Sequence, residues 1–182
     1  MPYRLTKSIV FVGMMGAGKT AIGRALAEQL DVPFVDSDDE IEQAANLKIS
    51  EIFEKFGEPF FREKEMQIVK RLVDGTLQVV ATGGGAFCQA DTQALIKDQA
   101  TSIWLDADIE TIWARVKGKS HRPLLLTKKP KKVLKTMMSE RAVFYQQAEV
   151  HVKVGAENSI EVTTATVLKQ LLKHGAIKET LA

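Results

Sequence analysis

Gly13-Met14-Met15-Gly16-Ala17-Gly18-Lys19-Thr20 matches the pattern G-x-x-x-x-G-K-[ST] of a phosphate-binding loop. The run Ser8-Ile9-Val10-Phe11-Val12 precedes it, and its apolar, β-branched composition predicts a buried strand. Apolar residues follow it at helical spacing, namely Ile22, Leu26 and Leu30. Because the motif functions only between a strand and a helix, this context favours a phosphate site over a plain glycine-rich turn.

The residue types in this phosphate loop (residues 13–20) suit the binding of a polyphosphate. Its glycines let the backbone turn tightly and bring N–H groups close to phosphate oxygens. The helix that follows points its positive N-terminal end at the same anion. Lys19 can add a point charge toward the β- and γ-phosphates, and the Thr20 hydroxyl can ligate Mg²⁺.

Composition places the chain among soluble globular proteins with one domain. It has 182 residues, of which 45% are hydrophobic and 26% charged, and its net charge is only +2. This charge gives no general attraction to nucleic acid or membranes. The single cysteine, Cys88, excludes an internal disulfide framework and suits the cytoplasm. No segment approaches the roughly 18 apolar residues of a membrane span, and the run 9–12 is too short for a signal peptide.

The chain alternates predicted strands with helical patterns. Four further strands are predicted at residues 33–36, 77–82, 101–106 and 150–154. Between the last two, an apolar stripe over 108–117 predicts a helix that Asp108 caps. This alternation predicts an α/β fold, in which helices cover both faces of a parallel sheet. Ligands then bind at the carboxyl ends of the strands.

Two regions interrupt this alternation. Residues 37–75 hold about three helical pieces, which is too much for one crossover and predicts an inserted substrate-binding lobe. Residues 117–135 hold eight Lys or Arg, no Asp or Glu and two prolines, and we predict a mobile lid over about 117–132. The alternative in both cases is solvated decoration of the surface.

Two carboxylates in Asp36-Ser37-Asp38 follow the second predicted strand, where ligands of such folds bind. One of them can hold Mg²⁺, and the other can accept a proton from a substrate hydroxyl. The alternative is that Ser37 and Glu40 form a capping box, with Asp38 and Asp39 favouring the helix N-terminus. The preceding phosphate loop favours the functional interpretation.

Other candidate residues lie farther along the chain. Gly83-Gly84-Gly85 ends the third predicted strand, where it can expose backbone N–H groups to a ligand or simply form a turn. Arg62 and Arg141 could each bind a carboxylate through the guanidinium fork, although surface charge is the default interpretation. Arg122 in the basic stretch could close on a transferring phosphoryl group.

Taken together and in order, these motifs resemble those of the shikimate kinase family over nearly the full chain. They are the phosphate loop, Asp36-Ser37-Asp38, Phe61-Arg62, Gly83-Gly84-Gly85, Arg122-Pro123-Leu124, and Glu140-Arg141 followed by Tyr145. The resemblance implies a three-layer α/β/α fold like that of nucleoside monophosphate kinases, with five parallel strands in the order 2-3-1-4-5. It also implies ATP-dependent phosphorylation of the 3-hydroxyl of shikimate by a cytoplasmic monomer, in the pathway to chorismate and the aromatic amino acids.

The resemblance also implies roles for individual residues. Asp38 would act as the base, with Lys19 and Arg122 as the other catalytic residues. The shikimate site would comprise Asp38, Arg62, Gly84 and Arg141. ATP would contact Gly16, Ala17, Gly18, Lys19, Thr20, Ala21, Arg115 and Arg122, with Arg115 packing over the adenine. Mg²⁺ would be held by Thr20 and Asp36.

The chain departs from the family pattern after Arg141. The family commonly has a proline there, whereas this chain has Ala142-Val143-Phe144-Tyr145, so we expect a different local helix path. A gluconokinase of the same architecture is the nearest alternative function. A nucleotide-dependent switch is another, but the chain has no Asn-Lys-x-Asp motif. A nucleic-acid binder that uses Lys117 to Lys135 is a third.

Overall fold

The computed structural model describes residues 3–117 and 127–180 of the chain. The strands are β1 Tyr3–Leu5, β2 Ser8–Val12, β3 Phe34–Asp36, β4 Val79–Ala81, β5 Ala100–Ala107, β6 Val150–Val154 and β7 Ile177–Glu179. The helices are α1 Lys19–Leu30, α2 Ser37–Ala45, α3 Ile49–Asp74, α4 Ala90–Gln99, α5 Ile109–Val116, α6 Pro130–Tyr145 and α7 Ile160–His174, with a short 3-10 helix at Ala86–Cys88. Arg122 and most of the predicted lid lie outside the described residues.

Five parallel strands form the main sheet in the order β3-β4-β2-β5-β6. These are the five predicted strands, and their order is the predicted 2-3-1-4-5. The central strand, β2, is buried along its whole length because neighbouring strands and helices cover it on every side. Its uninterrupted apolar character, rather than an alternating pattern, is typical of a strand in a parallel sheet.

The strand order decides which helices share a face of the sheet. The connection from β2 to β3 crosses the sheet in one direction. The three later connections, from β3 to β4, from β4 to β5 and from β5 to β6, cross it in the opposite direction. Right-handed crossovers then place α1 on one face and α3, α4 and α6 on the other. Helix α7 packs against α1, which completes the three layers.

A two-stranded antiparallel ribbon lies outside the main sheet and was not predicted. It pairs β1 with β7, with Leu5 opposite Ile177 and Tyr3 opposite Glu179. Each strand has only three residues, and a pairing between the two ends of a chain has no local sequence signal. The two apolar partners, Leu5 and Ile177, are both buried, so the ribbon contributes these side chains to the hydrophobic core.

The region between β3 and β4 holds the three helical pieces that the sequence predicts. Helix α2 is the first, and α3 is divided by Gly57, whose φ of 78° and ψ of 173° are not helical. Glycine adopts this conformation without the steric cost that a side chain brings. Pro59 follows near the start of the second part of α3, where its missing N–H is tolerated.

The N-terminal caps of helices α5 and α2 can be compared with those expected from the sequence. The Asp108 Oδ1 atom accepts a hydrogen bond from the Thr111 N–H at 2.7 Å, so the predicted cap of α5 is confirmed. At α2 the capping-box alternative is wrong, because Asp36 is the N-cap and accepts from the Asp38 N–H. Ser37 is the first residue of the helix, one position after the N-cap, so it cannot be the N-cap residue of a capping box.

Helix α1 packs closely on the sheet at Gly23, where there is no room for a side chain. A β-carbon there would lie 2.7 Å from Cε2 of Phe34, and the Arg24 guanidinium lies over the same ring at 4.7 Å from its centroid. We expect Gly23→Ala to lower the free energy of unfolding by about 1–3 kcal/mol through overpacking, although alanine is better than glycine in a helix by about 1 kcal/mol. Urea unfolding measures the change.

A second substitution supplies the control for this prediction. In the Phe34→Leu background the smaller side chain leaves room for the new methyl group, so the Gly23→Ala change should cost less there than in the wild type. A Gly23→Ala protein as stable as the wild type would contradict the close approach of α1 to β3.

Candidate active site

The strand register brings three loops to the same edge of the sheet. Asp36 pairs with Ala81, and Ala81 pairs with Phe11, so β3, β4 and β2 end at nearly the same level. A cavity of about 370 Å³ opens there. Its lining comes from the phosphate loop, the start of α1, the ends of β3 and β4, and α5: Met15, Gly16, Gly18, Lys19, Thr20, Ala21, Asp36, Asp38, Thr82, Gly83, Gly84 and Arg115.

The phosphate loop has the backbone that its glycines predict. Gly13, Gly16 and Gly18 have φ of 132°, 78° and 106°, which side chains rarely adopt. Space is also limiting, since a β-carbon on Gly16 would clash with Val116 of α5. The Lys19 ammonium lies within the loop and donates to the carbonyl oxygens of Gly13 at 2.7 Å and Met14 at 2.9 Å.

Arg115 reaches the phosphate loop from α5. Its Nη1 donates to the carbonyl oxygens of Gly16 at 3.2 Å and Ala17 at 3.1 Å. The guanidinium therefore holds the backbone of the loop from the side of α5 while it lines the cavity. Packing over an adenine ring stays a prediction for this residue.

Thr20 and Asp36 meet at the other side of the cavity. The Thr20 hydroxyl donates to Asp36 Oδ2 at 2.8 Å, while Asp36 Oδ1 accepts the Asp38 N–H at 3.1 Å. Among the described residues no group of three or more His, Cys, Asp or Glu side chains could hold a metal. Two adjacent oxygen ligands nevertheless fit Mg²⁺, which retains waters and uses substrate phosphates to complete its shell.

Asp38 presents a partly desolvated carboxyl group to the cavity. Among the residues that the structure describes, none forms a hydrogen bond with its buried Oδ1 atom. Burial, and next the charge of Asp36, raise the pKa of Asp38 to about 6, whereas the ammonium of Lys19 opposes this shift. A carboxylate with such a pKa is charged at neutral pH and remains a better proton acceptor than an ordinary aspartate.

Arg62 is held by carboxylates on its own helix. Its Nη1 donates to Glu65 Oε2 at 2.6 Å, and its Nε and Nη2 donate to Glu58 Oε1 at 3.2 Å. Glu65 is fully buried, and this burial raises its pKa to about 7 although the guanidinium of Arg62 opposes the shift. Glu65 was not predicted as a site residue, although its spacing of three residues from Arg62 indicates an ion pair on one helix face.

The glycine turn (residues 83–85) lies among the charged groups. A β-carbon on Gly83 would meet Asp38 Oδ1 at 2.8 Å and Glu65 Oε1 at 3.1 Å. A β-carbon on Gly85 would overlap the Arg62 guanidinium. Glycine is therefore needed here because carboxylates and a guanidinium occupy the space that side chains would fill.

Helix α6 contacts the glycine turn through Arg141 and Tyr145. Arg141 Nη1 would lie 3.4 Å from a β-carbon on Gly84. The hydroxyl of the buried Tyr145 donates a hydrogen bond to the carbonyl oxygen of Gly84. Cys88 Sγ lies 4.0 Å from the same oxygen. The sequence motif included Tyr145, but no role for it was predicted.

The predicted site residues fall into four groups. Those that line the cavity are Gly16, Gly18, Lys19, Thr20, Ala21, Asp36, Asp38, Gly84 and Arg115. Arg62 and Arg141 lie beside it against Gly85 and Gly84, and Ala17 is buried beneath the loop. Arg122 is outside the described residues. The cavity thus joins a polyphosphate cradle to a raised-pKa carboxyl and two arginines, which suits phosphoryl transfer to an anionic alcohol.

Comparisons with known proteins agree with this geometry. The family model for shikimate kinase matches residues 15–172. A shikimate kinase of Cereibacter sphaeroides is 48% identical over 177 residues, which cover 97% of this chain and 88% of the relative.

Solved structures are similar over most of the chain. A shikimate kinase from Acinetobacter baumannii, solved in complex with shikimate, has a TM-score of 0.88 at 34% identity and covers 92% of this chain and 93% of its own. A gluconokinase from Sinorhizobium meliloti has a TM-score of 0.63 at 16% identity, covers 93% of this chain and 94% of its own, and shares the fold alone. The chain belongs to the shikimate kinase family.

Proposed function

We propose that this chain transfers the γ-phosphoryl group of ATP to the 3-hydroxyl of shikimate and releases shikimate 3-phosphate and ADP, in the pathway to chorismate and the aromatic amino acids. The observation that carries the proposal is the position of Asp38. Its Oδ1 has no hydrogen-bond partner in the described part of the chain and faces the glycine turn, the carboxyl lines the same cavity as Lys19, and the charge of Arg62 acts on it.

The triphosphate of ATP would lie along the phosphate loop. Lys19, whose ammonium now bonds loop carbonyls, can turn toward the β- and γ-phosphates with a small side-chain movement. Gly16, Ala17, Gly18 and Ala21 would contribute loop and helix backbone, and Arg115 would contact the nucleotide.

Thr20 and Asp36 would hold Mg²⁺. When bound, this ion would neutralise charge on the phosphate oxygens. The Thr20 hydroxyl donates to Asp36 Oδ2, so these two oxygens already lie close enough together to bind one Mg²⁺ ion.

The carboxylate clamp (Arg62, Arg141 and the backbone of Gly84) would bind shikimate. A guanidinium recognises a carboxylate through two parallel hydrogen bonds, which fixes the orientation of the ligand as well as its position. Glu65 and Glu58 already orient Arg62, so little side-chain freedom is lost when the substrate binds. The clamp would then bring the 3-hydroxyl of the ring to Asp38.

Asp38 would take the proton from this hydroxyl as its oxygen attacks the γ-phosphorus. The bond from that phosphorus to the β,γ-bridging oxygen breaks, and ADP leaves with the electron pair. Because phosphoryl transfer has a loose transition state, most of the catalysis would come from position and charge rather than from covalent chemistry.

Further parts of the proposal come from the sequence. A lid over about 117–132 would carry Arg122 to the γ-phosphate and exclude water. The enzyme would act in the cytoplasm as a monomer, without nucleic-acid partners. Among the helices of residues 3–117 and 127–180, none has the length and apolar character needed to cross a bilayer.

An assay of acceptor specificity tests the function directly. We expect shikimate to drive ADP release in a coupled assay with Mg²⁺ and ATP, whereas gluconate and buffer alone should give only background hydrolysis. ADP release that depends on gluconate instead would favour the alternative kinase. Release that is equal with all three would indicate an uncoupled ATPase.

The role of Asp38 can be tested with an isosteric change. We expect Asp38→Asn to lower kcat by roughly 10²–10⁴-fold, because the amide cannot accept the proton of the hydroxyl. Steady-state kinetics with both substrates at saturation measure the loss. A loss below tenfold would reduce Asp38 to an orienting residue.

Asp39→Asn provides the matched control, because this neighbouring carboxylate is exposed and does not line the cavity. It should retain wild-type turnover. The pH profile of the wild type gives a second check: kcat/KM should fall as the pH drops below about 6, where the raised pKa leaves Asp38 protonated in the free enzyme.

Arg62→Ala tests the carboxylate clamp. We expect shikimate binding to weaken by about 1.5–3 kcal/mol, the value of a charged hydrogen bond, while ATP binding stays nearly unchanged. Glu65 then loses its partner, but its raised pKa lets it become protonated rather than remain a buried charge.

Isothermal titration with each substrate separates the two affinities. Arg71→Ala is the control, since this arginine lies on the same helix but bonds Glu40 at the surface. Equal losses of both affinities in Arg62→Ala would instead indicate that the lobe has unfolded.

A further inference from the structure

The three carbonyl groups of the glycine turn are held in different ways. The Gly83 oxygen accepts from the Ala86 N–H at 3.2 Å, and the Gly85 oxygen accepts from the Cys88 N–H at 3.1 Å. Both bonds belong to the 3-10 turn that follows. The middle carbonyl, of Gly84, instead accepts the hydroxyl of Tyr145, which comes from the distant helix α6.

The hydroxyl of Tyr145 is a better hydrogen-bond donor than the other group near the Gly84 oxygen. Among the described residues, the other group that the structure places on the Gly84 oxygen is the Cys88 thiol, a weak donor at 4.0 Å. Three successive glycines have more backbone freedom than any other tripeptide. The orientation of the central peptide therefore depends on the hydroxyl of Tyr145.

The peptide held in this way lies between the two arginines of the clamp. Arg141 packs against the α-carbon of Gly84, and Arg62 packs against that of Gly85. Because the peptide unit is planar, fixing the Gly84 carbonyl also fixes the direction of the Gly85 N–H. Tyr145 lies one helical turn beyond Arg141 on α6, so one helix supplies an arginine of the clamp and the hydroxyl that aligns the peptide.

Packing of the Tyr145 ring is separate from this hydrogen bond. Its centroid lies 6.1 Å from that of Trp104, which is on β5 beside the phosphate loop. The hydroxyl also lies 3.7 Å from Met14 Sδ in that loop. A phenylalanine would keep the ring contacts and remove the hydroxyl alone.

We propose that Tyr145 is a positioning residue for the acceptor substrate: its hydroxyl holds the Gly84–Gly85 peptide in the orientation in which the glycine backbone and the two arginines bind one carboxylate together. This inference rests on the proposed function, since it concerns the same carboxylate clamp. It predicts a defect in acceptor binding, whereas loss of a purely structural contact would lower stability alone.

Steady-state kinetics of Tyr145→Phe test the inference. We expect the KM for shikimate to rise by roughly three- to tenfold, the range for one neutral hydrogen bond, while kcat and the KM for ATP stay within about twofold. Thermal unfolding with and without saturating shikimate measures acceptor binding without turnover. The shift caused by shikimate should be smaller in the variant than in the wild type.

Thr164→Val is the matched control. The Thr164 hydroxyl is also buried and donates to a backbone carbonyl, that of Ile160 at 2.7 Å, but it lies on α7 away from the cavity. This variant should lose stability without any change in the KM for shikimate.

A double-mutant cycle with Arg141→Lys separates positioning from independent contacts. If the hydroxyl acts through the alignment of the clamp, the Tyr145→Phe change should raise the KM for shikimate less in the Arg141→Lys background than in the wild type. Additive effects would contradict joint action at the clamp.

Three results would overturn the inference. They are an unchanged KM for shikimate in Tyr145→Phe, an equal rise of the KM for ATP, which would place the effect in the phosphate loop through Met14, and a purely additive cycle. Failure of the proposed function is distinguishable, because the wild type itself would then show no shikimate-dependent ADP release.

Discussion

The parallel register of β3, β4 and β2 is the constraint on which the site depends. Asp36, Ala81 and Phe11 lie side by side across the sheet, so the loops that follow them must leave at one level. The phosphate loop, the glycine turn and Asp38 thereby meet, although about 70 residues separate the first from the second. A shift of this register would move the Asp36 and Asp38 carboxyls away from Lys19 without changing any local structure.

Charged side chains lie close to the glycine turn at this edge of the sheet, which explains why Gly83 and Gly85 have no side chains. Asp38 and Glu65 are desolvated carboxyls whose oxygens both lie close to the position of a β-carbon on Gly83, and this desolvation raises their pKa values. The Arg62 guanidinium offsets their charge and remains held beside the cavity. Buried charges of this kind need close partners, and only glycine leaves enough room for the partners to approach. In the proposed function, this arrangement would preorganise the carboxylate clamp.

Helix α6 connects the glycine turn beside the cavity to the phosphate loop. It carries Arg141 and, one turn later, Tyr145, which reaches both the glycine turn and Met14 of the phosphate loop. The segment between these residues lacks the proline that the family commonly has, and here the helix runs without a break to Tyr145. Both side chains are directed at the glycine turn.

Local sequence was sufficient to predict the five core strands, the phosphate loop, the Asp108 cap and the family, because hydrophobic period, glycine spacing and capping chemistry act over a few residues. It did not reveal the β1–β7 ribbon, the burial of Glu65 beside Arg62, or the bond from Tyr145 to Gly84, and the capping box that it left open as an alternative for α2 was wrong. These features join residues far apart in the chain or depend on desolvation, so only the tertiary structure decides them.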